Sequence, residues 1–152
     1  MASLRALRTH MPELLPTYER LVELAGGSDS VARLLSLWCP TPYLTACSQA
    51  VWRGGPPILA RNYDYHPMLW DAVQLVTSWT GRRVVGMSDS LWGLLDGINE
   101  DGLVVSLSFG GRKAVGEGFG MPLILRYVLE TCRTVEEGVA TLLRIPRTCR
   151  TT

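Results

Sequence analysis

A chain of 152 residues is long enough for one domain with a core of its own. Its 15 Lys plus Arg against 14 Asp plus Glu leave a net charge of +1, which excludes a strongly basic nucleic-acid module and a polyanionic tail. A hydrophobic fraction of 47% with 19% charged residues excludes a disordered chain.

The first segment reads as helical. Leu14, Leu15, Tyr18, Leu21, Val22 and Ala25 recur at three- and four-residue steps, and Gly26-Gly27 is a stop. Ser28 or Ser30 caps a second helix through Val31, Leu34, Leu35 and Trp38, which Pro40 and Pro42 are expected to end. Residues 43–53 then read as a strand, Gly54-Gly55-Pro56 as a turn and residues 57–65 as the return strand. A second strand pair is expected over 72–79 and 82–88. A third is expected over 91–98 and 103–109, joined by Asn99-Glu100-Asp101-Gly102. Helical period returns at Leu123, Ile124, Tyr127, Val128 and Thr131. Thr134 and Glu137 form a capping box for a last helix through Val139, Leu142 and Leu143. Helices, about six strands, then helices argue an α+β fold with antiparallel sheet.

No window nears the ~18 apolar residues of a membrane span, and the N-terminus lacks the apolar stretch of a secretory signal. A cytoplasmic location with reduced thiols follows as the expectation. Cys39, Cys47, Cys132 and Cys149 hold no C-x-x-C pair, and with only His10 and His66 beside them no zinc site is expected. The glycines from Gly110 to Gly120 make a flexible loop but no phosphate-binding fingerprint.

The first hairpin carries the chemistry. With its turn near residue 55, cross-strand partners sum to about 110, so Cys47 faces Tyr63 within reach of Arg61, Asn62 and Asp64. An adjacent Arg favours thiolate over thiol, and Asp64 can hold Arg61 or orient an amine near the sulfur. Against this stand a buried structural cysteine and a surface Arg61–Asp64 pair of little energetic value. A Cys47–His66 dyad is the weaker alternative, because His66 sits in a turn before Pro67. Trp70, Trp79 and Trp92 read as core or as walls of an apolar pocket, and Asn99 as a turn residue.

The stretch CSQAVWRGGPPILARNYDY, followed by GINEDGLVVSLSF at 97–109, resembles the cysteine N-terminal nucleophile hydrolases. The likeness runs over about residues 38–146 and is strongest to the acyl-coenzyme A:6-aminopenicillanic acid acyltransferase family, whose members cut themselves. The choloylglycine hydrolases are the cousins. The resemblance implies an αββα sandwich and an amidase or acyltransferase acting on a carbon–nitrogen amide bond. It implies self-cleavage between Ala46 and Cys47, with residues 1–46 as a helical propeptide-like segment and 47–152 as the catalytic domain. Cys47 then matches the nucleophile, Arg61 and Asp64 the pair that positions it, and Ser108 with Asn62 the oxyanion or substrate donors. Ser108 is a departure, since relatives carry Asn there.

A small acyl amide or acyl-coenzyme A is the implied substrate, with no cofactor, nucleic acid or membrane partner. The family's second oxyanion Asn, a further Arg and the remaining strands would follow residue 146, so the chain reads as the first half of the fold. The alternatives are a truncated, inactive fragment, for which open sheet edges favour a homo-oligomer, and a non-enzymatic α+β binding module.

Overall fold

A computed structural model describes residues 2–41, 47–64, 66–69, 71–108 and 116–148. The chain is α+β: helices α1 (Ala2–His10), α2 (Leu15–Leu24) and α3 (Asp29–Leu35) come first. Among the described residues six strands follow: β1 (Cys47–Trp52), β2 (Ile58–Tyr63), β3 (Val73–Thr77), β4 (Val84–Asp89), β5 (Gly93–Asn99) and β6 (Val104–Ser106). Helices α4 (Met121–Thr131) and α5 (Val135–Arg144) come last.

Local chemistry explains most boundaries. Gly26 and Gly27 take φ of 97° and 70° after α2, and Gly27 N–H returns to the Val22 carbonyl at 2.8 Å, a helix-ending bond of the Schellman kind. Ser28 Oγ accepts from Val31 N–H at 3.2 Å, as its cap position requires. Thr134 Oγ1 likewise accepts from Glu137 N–H at 3.3 Å. The reciprocal bond of the box is shifted by one residue, because Glu137 Oε2 accepts from Arg133 N–H at 2.6 Å.

Two expectations need correction. The periodicity starts the first helix only at Leu14, yet a separate helix α1 precedes it and buries Ser3 and Leu7. Helix α3 stops at Leu35, before the prolines assigned to end it. Leu37 and Cys39 turn to φ of 47° and 51°, and Trp38 bridges Phe119. Cys39 N–H reaches Gly118 O and Gly120 N–H reaches Leu37 O, both at 2.8 Å. Backbone pairing to a distant segment outweighs the local helical pattern.

Strands β3 to β6 form one antiparallel sheet in sequence order, and β1 and β2 form a separate hairpin. The 91–98 strand begins two residues late because Ser90 and Leu91, at φ of 55° and 70°, make the turn. Helix α4 covers one sheet face, where Val84 and Leu94 meet Leu129. Gly97 permits that approach: a Cβ there would lie 2.6 Å from the Val85 carbonyl oxygen and 2.8 Å from Leu129 Cδ1. The hairpin stands over the other face and encloses with it an open cleft of about 840 Å³.

The helices before the hairpin share the core of those after it. Leu7, Met11, Leu14 and Tyr18 pack with Phe119, Leu123, Ile124 and Tyr127. Tyr127 Oη donates to Glu13 Oε2 at 2.7 Å, and Trp92 Nε1 donates to Leu35 O at 2.8 Å. Arg126 and Glu130, both fully buried, pair at 3.4 Å on α4. Glu130 accepts from the Thr77 hydroxyl at 3.1 Å and from Thr80 Oγ1 at 3.2 Å, and Arg126 stacks on Trp79. No helix among the described residues is long and apolar enough to cross a membrane.

Candidate active site

The hairpin register is the one expected from the turn: Cys47 pairs with Tyr63 and Gln49 with Arg61. Strand pleating then divides β2 by face. Leu59, Arg61 and Tyr63 turn toward the neighbouring sheet, while Ala60 and Asn62 turn to solvent. The half-buried Cys47 shares the inward face with its partner Tyr63.

Arg61 is the centre of the site, with only 5% of its side chain exposed. Its Nη2 donates to Cys47 Sγ at 3.2 Å. Its Nη1 donates to the Leu95 carbonyl and to Ser106 Oγ, the latter at 3.3 Å, and lies 3.5 Å from Asp96 Oδ2. The guanidinium also rests over the Tyr63 ring, 4.3 Å from its centroid. Tyr63 Oη donates to the same Asp96 oxygen at 2.7 Å. A thiol, a guanidinium, a phenol and a carboxylate thus form one connected group across two sheets.

A bulge in β5 places the carboxylate. Met87 pairs with Asp96 and Ser88 with Leu94, so the register skips Leu95. Leu94 and Leu95 are therefore both buried, and Asp96 falls on the cleft face. The Leu95 carbonyl accepts from both Leu107 N–H and Arg61.

The structure brings together Cys47 and Arg61 and sets the other expected residues apart. Asn62 Nδ2 donates to Asp64 Oδ1 at 2.5 Å on the exposed side, and the carboxylate that meets Arg61 is Asp96 rather than Asp64. Ser108 is exposed beyond the end of β6, and Ser106 is the serine beside Arg61. Ala46, Tyr65, Trp70, Phe109 and Cys149 lie outside the described residues. His66 is exposed and its Nδ1 accepts from Met68 N–H at 3.2 Å. Asn99 closes its turn with every polar atom engaged. Its amide donates to the Leu129 and Cys132 carbonyls, and its oxygen accepts from Asp101 and Leu103 N–H. Trp79 and Trp92 pack on each other away from the cleft, which Ile58, Val85, Met87, Ile98 and Val104 line instead.

Asp96, Tyr63 and Ser106 were not singled out for the site by sequence reasoning. The 1,3 spacing of Arg61 and Tyr63 on one strand face was the available signal for Tyr63.

Residues 52–152 match the family described as acyl-coenzyme A:6-aminopenicillanic acid acyl-transferase. The matched segment includes Arg61, Tyr63, Asp96 and Ser106 and begins beyond Cys47. No curated protein and no solved structure matches the chain.

Proposed function

The chain belongs to the acyl-coenzyme A:6-aminopenicillanic acid acyl-transferase family, and from that premise we propose a self-activated cysteine amidase or acyltransferase with Cys47 as nucleophile. The observation that carries the reading is the Arg61 guanidinium 3.2 Å from the Cys47 sulfur, at the first residue of a strand.

In the activating step the Cys47 thiol attacks the Ala46 carbonyl carbon. The C–N bond breaks, the acyl group moves to sulfur, and the nitrogen takes up a proton. Water then hydrolyses the thioester, leaving a carboxylate on Ala46 and a free α-amine and thiol on Cys47. That amine has an ordinary pKa of ~7.7–8.0, suited to a general base near neutral pH. Asp64 directly follows Tyr63, the cross-strand partner of Cys47, so it stands at the hairpin end where the new amine would emerge. Its role in this reading is to orient the amine.

In turnover the amine takes the thiol proton, sulfur attacks the substrate carbonyl, and the amine returns the proton to the leaving nitrogen. Water or a second amine then accepts the acyl group, which separates hydrolase from acyltransferase. The aliphatic cleft beside Arg61 supports an apolar acyl group as substrate.

Turnover of N-acyl p-nitroanilides with short to long acyl chains tests the reading. Release of p-nitroaniline is expected from the native chain and not from Cys47→Ala. Equal release from both would overturn it.

A further inference from the structure

We propose that Asp96 is a positioning residue that fixes the Arg61 guanidinium against the Cys47 sulfur. The inference rests on the reading of Cys47 as nucleophile with Arg61 as its cationic partner.

An arginine reaching from one sheet to another has many rotamers, and ordering it opposes the entropy of a long, flexible side chain. The order comes from the facing sheet. The Leu95 carbonyl, Ser106 Oγ and Asp96 Oδ2 all meet Nη1, which leaves Nη2 for sulfur. Asp96 is the charged member of the three. Its Oδ2 also receives the Tyr63 hydroxyl, and Tyr63 in turn supports the guanidinium from below through its ring. The carboxylate therefore holds Arg61 twice, once by the ion pair and once through the ring it orients. Asp96 does not touch the sulfur in this arrangement and acts only through these two neighbours.

Charge and geometry make opposite demands, and this separates the proposal from a simple charge effect. A carboxylate near the site opposes negative charge on sulfur, so removing its charge alone would quicken attack by Cys47. Loss of the position of Arg61 would slow it.

The test is the rate at which iodoacetamide alkylates Cys47 at pH 7, resolved at that residue by peptide mass mapping and compared within one processing state. Asp96→Ala is expected to react about tenfold more slowly than the native chain. Asp96→Asn, which keeps an acceptor for Tyr63, is expected to fall between, and Asp96→Glu to recover part of the rate. Leu7→Ala, a destabilised control in a remote part of the core, is expected to react at the native rate. Faster alkylation in both Asp96→Ala and Asp96→Asn would overturn the proposal in favour of a charge effect. Slowing of Leu7→Ala to the same extent as Asp96→Ala would overturn it in favour of general stability. Arg61→Met separates the premise from the inference. An unchanged rate there removes both, whereas slowing in Arg61→Met with none in Asp96→Ala removes this inference alone.

Discussion

Tyr63 and Asp96 meet across two sheets, the Tyr63 hydroxyl donating to Asp96 Oδ2 at 2.7 Å over a sequence separation of 33. Tyr63 is also the cross-strand partner of Cys47, so this bond couples the first residue of the hairpin to the middle of β5. Replacing Tyr63 by Phe keeps the ring under Arg61 and removes the bond. The expected loss of stability is about 1 kcal/mol in a denaturant titration, with slower alkylation of Cys47. Full native reactivity in Tyr63→Phe would assign the hydroxyl to folding alone.

The Arg126–Glu130 pair is fully buried and its failure should be costly. Arg126→Met leaves Glu130 charged between Thr77 and Thr80, and a loss of about 3–5 kcal/mol is expected. Adding Glu130→Gln should return part of that loss, because the uncompensated charge is gone. Urea midpoints of the single and double variants check this, and an equal or larger loss in the double variant would contradict it.

Gly97 lies between the β4 backbone and Leu129, so Gly97→Ala forces the sheet and α4 apart. A loss of about 1–3 kcal/mol is expected in thermal or urea unfolding. An alanine variant as stable as the native chain would mean that α4 sits further from the sheet.

Alkaline stability follows from Tyr127. Burial first, then its hydrogen bond to Glu13, raises its pKa from 10.0 to about 12. The folded state keeps the proton longer than the unfolded chain, so the contribution is complete below pH 10 and disappears as pH rises through 12. Arg126 acts in the opposite sense. Burial lowers it to about 10, so its penalty on folding eases as pH rises above that value. Tyr127→Phe isolates the first effect: the advantage of the native chain over this variant should shrink between pH 10 and pH 12. A constant difference in urea midpoint across that range would contradict the assignment.

Residues ahead of the hairpin contribute fully buried Leu7, Met11 and Leu14 to the common core. After a cut before Cys47, the N-terminal piece should therefore stay bound. Native size-exclusion chromatography is expected to show both pieces in one peak that separates in denaturant. A free N-terminal piece under native conditions would contradict this shared core.

Much of this was legible in the chain because it is local. The turn at Gly54-Gly55 fixed the Cys47–Tyr63 register, and the Ser28 and Thr134 caps follow from side chains within four residues. The α+β order followed from a change of period. Asp96 was hidden because its place depends on the bulge at Leu95, which interrupts the alternation of β5. Without that skip the pleat gives no reason to direct Asp96 to the hairpin. Ser106 was passed over because the family likeness pointed to Ser108, whereas the sheet register sets Ser106 opposite Asp96. The early end of α3 depends on a bridge to Phe119, far along the chain and invisible to helical spacing.

In the mechanism proposed above, Cys47 becomes an N-terminal nucleophile by its own action. Intact-mass analysis of the purified chain and of Cys47→Ala tests it most directly. Two pieces with a break between Ala46 and Cys47 are expected from the native chain, and one uncut mass from the variant. A native chain that stays whole, or a Cys47→Ala chain cut at the same bond, would contradict it.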